Sequence, residues 1–134
     1  MQHALWIRHI FFTVLFACLY AAGNAAPRCD EPALHAAGYA HSIKSIERLP
    51  EWAAWARSHS FPVTYGQSVD RQVLLQGRCY WSVSVYANRP ERQELWRVFY
   101  VEATGKRVLV QDTVSGDAIS LQTWRAKGAG RVYP

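Results

Sequence analysis

From Arg78 to Ala87 the chain alternates with a period of two. Cys79, Trp81, Val83 and Val85 fall on one side, and Tyr80, Ser82, Ser84 and Tyr86 on the other. Neighbouring side chains take opposite faces only in an extended strand. The segment therefore predicts a sheet whose apolar side is covered and whose amphipathic side is open, as is common in antiparallel sheets.

The same period recurs downstream. Glu94 to Glu102 is a predicted strand in which Leu95, Phe99 and Val101 alternate with Trp96, Val98 and Tyr100. Thr104-Gly105 predicts a tight turn into a strand over 107–112, with Val108 and Val110 on one face. Ser115-Gly116-Asp117 predicts another turn, after which Ile119, Leu121 and Trp124 form a last strand or a short helix. Upstream, 63–65 and 69–76 read as short strands, the second ending at Gln76-Gly77. Asn88 to Gln93 contains Pro90 and several charges, so it is expected as an exposed loop.

Before residue 60 the period is helical. Leu34, Ala37, Ala40, Ile43 and Ile46 recur every three residues, which predicts a helix over 30–48 capped by Asp30, with one stripe facing a core. Pro50 interrupts it and is suited to begin the next helix. That helix is expected over 51–59, with Trp52, Trp55 and Ala56 on one face. Helices grouped ahead of strands predict an α+β fold: two N-terminal helices packed on an antiparallel meander sheet. The expected domain spans 26–126, and 127–134 is expected as a flexible C-terminal tail.

The chain begins like an export signal. Arg8 precedes an apolar run from Ile10 to Tyr20, and small residues follow to Ala26. A run of roughly 11 residues is shorter than the ~20 needed to span a bilayer as a helix. Residues 1–25 are accordingly predicted as a signal peptide, with the domain working in the periplasm or beyond the cell. Leu15-Phe16-Ala17-Cys18 loosely resembles a bacterial lipobox, so a lipid anchor at Cys18 is an alternative fate. Once Cys18 is set aside, Cys29 and Cys79 remain as an even pair in an oxidising compartment, and a disulfide between them is expected.

Composition and motifs exclude several function classes. The formal net charge of +5 is spread along the chain without a basic run, which is not a nucleic-acid footprint. His35 and His41 are six apart, the wrong spacing for a helical zinc pair, and no metal or other cofactor is expected. There is no G-x-S-x-G, no phosphate-cradling glycine loop, and the neighbouring carboxylates Glu91 and Glu94 sit among Arg89 and Arg92. No catalytic residue is predicted, and the chain is expected not to be an enzyme. The aromatic load points to binding instead. Tyr80, Tyr86, Trp96 and Tyr100, with Arg89 and Arg92, have the composition of a protein-binding surface.

The segment Leu95 to Asp112, LWRVFYVEATGKRVLVQD, resembles the closing hairpin of PepSY-like domains, in which a strand runs through a T-G turn into another strand. Together with Tyr80-Trp81-Ser82-Val83 it also looks like bacterial immunity proteins of NTF2-like fold, and the upstream helices suit a cystatin-like helix laid across a meander. The resemblance implies a small, non-enzymatic protein that blocks a secreted or periplasmic enzyme or toxin. The loops at 88–93 and 114–117, or the open sheet face, would cover the partner. A small-ligand carrier or a lipid-anchored envelope protein is the alternative expectation.

Overall fold

The computed structural model describes Cys29 and residues 35–67 and 72–128. The predicted signal peptide, the cap at Asp30 and residues 129–134 of the predicted tail lie outside the described residues. The architecture is α+β. Helices α1 (His35–Glu47) and α2 (Pro50–Arg57) precede strands β1 (Val63–Gln67), β2 (Val73–Leu75), β3 (Arg78–Asn88), β4 (Gln93–Glu102), β5 (Val108–Gln111) and β6 (Ala118–Ser120). A third helix, α3 (Leu121–Ala126), follows. The helices are therefore not all N-terminal. The segment expected as a strand or short helix is both in succession, because Ser120 ends β6 and caps α3 by accepting from the Thr123 amide at 3.0 Å.

The six strands form one antiparallel sheet in the order β1-β3-β4-β5-β6, with β2 also paired to β3. β2 and β3 are joined by Gln76-Gly77, whose φ angles of 50° and 73° are the left-handed pair that a two-residue hairpin requires. β3 is central. Its Trp81, Val83 and Val85 face Val101 and Phe99 of β4, and Val110 of β5 lies beyond. These side chains form the core with Ile46, Leu49 and Trp124.

All three helices pack on this one face. From α1, Tyr39, Ile43 and Ile46 reach the sheet, and Tyr39 meets Trp81 edge-on at 6.1 Å. Ser42 lies in the same interface, its hydroxyl donating to the Gly38 carbonyl at 2.9 Å, whereas the Tyr39 hydroxyl is buried there without a partner. α2 begins on Pro50, with Glu51 in its first turn and Arg57 in its last, each placed favourably for the helix dipole. An ion pair between Glu51 and Arg125 links α2 to α3, and it holds the Glu51 carboxyl below its usual range.

The expected disulfide joins Cys29 to Cys79 with a Cα–Cα distance of 5.4 Å. It fastens the chain ahead of α1 to the start of the central strand.

The opposite face departs from expectation. Tyr80, Ser82 and Ser84 of β3 are buried, as is Leu109 of β5, although every described helix lies on the other side. The central strand is thus buried on both faces, and alternation in β3 does not separate inside from outside.

Candidate functional site

β3 and β5 run in the same direction, since each is antiparallel to β4. The β3–β4 loop and the β5–β6 turn, both expected to meet a partner, therefore emerge from the same end of the sheet. Pro62, just ahead of β1, joins them there, its carbonyl accepting from the Asn88 amide at 2.8 Å. The β3–β4 hairpin projects further. β5 last pairs at Phe99–Val110, whereas β4 continues beside β3 to Gln93, an overhang on the order of 15–20 Å at strand rise.

The turn over 112–117 is closed by a dense set of bonds. The Asp112 amide donates to the Asp117 carbonyl and the Gly116 amide to the Asp112 carbonyl, both at 2.8 Å. The Asp112 carboxylate accepts from the Val114 amide at 2.9 Å and pairs with Lys127 through its other oxygen. The Ser115 hydroxyl accepts from the Asp117 amide at 3.2 Å. Asp112 is only 7% exposed, and the Lys127 ammonium and the Val114 amide hold its carboxyl below the usual carboxylate range. Gly116 adopts φ 79°, which a side chain would strain. At the tip of this fixed frame Val114 is 95% exposed.

In the neighbouring hairpin, Arg89 pairs with Glu94, and its guanidinium lies 4.6 Å from the centre of the Phe61 ring. The Arg89 amide closes the loop onto the Arg92 carbonyl at 3.0 Å, and the Arg92 side chain is exposed. A bulge then changes the register of β4. Val85 pairs with Arg97 and Tyr86 with Leu95, which leaves Trp96 as the extra residue.

This bulge corrects the expected alternation. Trp96 turns toward the helices and stacks on Trp55 with ring centres 4.4 Å apart and planes 5° from parallel. It also approaches Phe99 and Trp124. Leu95 moves to the opposite face and is 51% exposed. A pattern read in strict twos places both residues on the wrong side, because a single inserted residue inverts everything beyond it.

The six residues expected to form one binding surface are therefore divided. Tyr80, 0% exposed, is a core residue that offers no surface, and its hydroxyl finds no hydrogen-bond partner. It lies opposite Glu102, which pairs with Arg78 at 2.8 Å. Tyr86 and Tyr100 are half-buried on the face away from the helices, and burial raises the Tyr100 phenol above its ordinary pKa. The Tyr86 ring leans over Gly66 of β1, where a Cβ would come within 3.0 Å of it. Trp96 belongs to the helix side. Only Arg89 and Arg92 stand at the loop end itself.

No protein-family model, curated protein or solved structure matches this chain.

Sequence reasoning also missed a cleft of about 200 Å³ beside the β5–β6 turn. It forms where β5 ends and β4 continues, and Lys127 reaches it from the end of α3. Lys127, the first residue of the expected flexible tail, pairs with Asp112 just past β5. The available signal was the pairing of a basic residue just past a helix with an acidic residue just past a strand, which no local pattern reveals. Among the described residues no three His, Cys, Asp or Glu side chains gather as a metal site, and no helix is long and apolar enough to cross a membrane.

Proposed function

We propose that this chain is an exported, non-enzymatic binding protein of the inhibitor or immunity type, and that it engages a secreted or periplasmic protein with the loop end of its sheet. The observation that carries this reading is Val114. An apolar side chain left wholly in water gives nothing to the fold, yet the turn beneath it is held by several hydrogen bonds. A side chain fixed in advance loses little entropy on docking, so such a tip is suited to insert into an apolar pocket. The β3–β4 hairpin, with Leu95 exposed and Arg92 at its tip, stands at the same end and can supply the rest of a contact. The Cys29–Cys79 disulfide suits an oxidising compartment. The PepSY-like or NTF2-like resemblance of the closing hairpin is compatible with the same role.

The test is affinity capture from the exported fraction of the native host, with wild-type protein and V114D side by side. A protein retained at high salt by the wild type and lost with V114D supports the reading, because a desolvated apolar contact survives screening. Equal retention by both would remove Val114 from the interface.

A further inference from the structure

We infer that the end of the domain opposite the candidate binding loops rests on an anionic lipid surface, through a patch of cations on α1 and the β4–β5 turn. The two elements meet at His41. Its exposed imidazole lies against Gly105 of the turn, where a Cβ would come 2.5 Å from Nε2. Lys106 and Arg107 follow Gly105, and both are exposed. On α1, Lys44 and Arg48 lie three and seven residues beyond His41, on the ridge turned away from Tyr39, Ile43 and Ile46, and both are exposed. Among the described residues Lys44, Arg48 and Lys106 make no ion pair. The acidic groups nearby are engaged elsewhere. Glu102, buried where β4 enters the turn, pairs with Arg78, and the Arg107 charge also acts on it. Glu47 accepts from the Tyr65 phenol at 2.7 Å, on the β1 side of α1. At the loop end the charges balance more closely: Arg89 pairs with Glu94 and Lys127 with Asp112, and Arg92 shares the loops with Glu91 and Asp117.

The path of the chain selects lipid over other polyanions. The disulfide ties Cys29 to Cys79 at the start of β3, and the Cys79 carbonyl accepts from the Ala103 amide at 3.0 Å. The chain therefore enters the domain beside the cationic turn. On the exported reading, on which this inference rests, the sequence ahead of Cys29 leads back to a membrane, either as the remnant of a signal peptide or through a lipid at Cys18. Arg28, Asp30 and Glu31 flank Cys29 in sequence and lower the positive balance by one charge without reversing it. Each Lys or Arg near an anionic leaflet strengthens partitioning by about fivefold, so a patch of this size gives reversible attachment that salt weakens. β3 runs from this end to the loop end over 11 residues, on the order of 30 Å at strand rise. A domain seated this way holds Val114 and the β3–β4 hairpin away from the lipid, where a protein can reach them.

The experiment is co-sedimentation of the exported protein, as processed by its host, with vesicles of phosphatidylcholine alone and of phosphatidylcholine mixed with phosphatidylglycerol, at low and at high salt. The expected result is a partition coefficient about tenfold or more higher on the mixed vesicles at low salt, with the difference lost at high salt. K44Q should lower binding to the mixed vesicles by about fivefold, and K106Q with R107Q by about tenfold or more. A lipid at Cys18 adds equally to both vesicles, so the difference between them reads charge alone. Capture of a protein partner, read separately with V114D, does not enter this measurement, so either proposal can fail alone. Equal sedimentation with both vesicles would overturn the inference, as would a preference for phosphatidylglycerol that survives K106Q with R107Q. Binding to heparin without binding to either vesicle would assign the patch to a soluble polyanion and overturn it as well.

Discussion

Gly38 of α1 lies against the indole of Trp81: a Cβ at Gly38 would come 2.7 Å from Nε1 and 3.0 Å from two ring carbons. Glycine inside a helix normally costs about 1 kcal/mol relative to alanine. Here that cost permits the close approach of α1 to the central strand. Trp81 is buried and packed edge-on against Tyr39, so it cannot move aside without disturbing the core. G38A is expected to destabilise the protein by about 1–3 kcal/mol, the usual cost of overpacking, despite its better helix propensity. Urea denaturation of both proteins measures the sign directly, and a gain in stability would show that the interface has slack.

Tyr80 gives the opposite expectation. Its hydroxyl is buried and without a partner, and a buried polar group in that state carries a desolvation cost of about 1–3 kcal/mol. Y80F removes the oxygen and keeps the ring. The variant should be as stable as the wild type or more stable by about 1 kcal/mol, seen as a higher denaturation midpoint at an unchanged slope. A loss greater than that would reveal a hydrogen bond to this hydroxyl in solution.

Reduction of Cys29–Cys79 should lower stability markedly. The bond closes a loop with a sequence separation of 50, for which loop-closure entropy amounts to about 4 kcal/mol. Thermal melts with and without a reductant, alongside a double Cys→Ser variant, test this. The variant should match the reduced protein and be insensitive to the reductant.

Asp112 makes the Val114 turn sensitive to acid. The folded carboxyl lies below its ordinary range, chiefly through Lys127 and then through the Val114 amide. The stabilisation is therefore complete above the unfolded aspartate value of about 3.9 and is lost as pH falls through the lower folded value. The Val114 amide resonance should hold its position from neutral pH to about 4 and move only below that. D112N should shift it at every pH, because the neutral amide no longer attracts Lys127.

Much of the frame was legible in local sequence. The alternation of Cys79, Trp81, Val83 and Val85 identified β3 as a strand and grouped its apolar residues on one face, because successive side chains of an extended chain take opposite sides. Pro50 marked the start of α2, since a missing N–H costs nothing in a first helical turn. The disulfide followed from an even cysteine pair. These are properties of a residue and its near neighbours.

The binding end was less legible. Val114 and the hairpin arginines are loop residues in any reading, but their arrival at one end depends on β3 and β5 running parallel across β4. Trp96 was misplaced because a bulge arises from pairing with Val85 and has no signature in β4 alone. The burial of Tyr80 likewise depends on what surrounds the strand and not on its alternation.

By itself, then, the sequence determined the element types, the grouping of apolar residues on one face of the central strand and the cysteine pair, because these follow from side-chain period, proline geometry and thiol count within short stretches. Tertiary structure alone decided the register of β4, the sharing of Asp112 between Lys127 and the Val114 amide, and the cleft between them. Each of these needs groups brought together from separate segments, and their interactions exist only once the sheet has placed them.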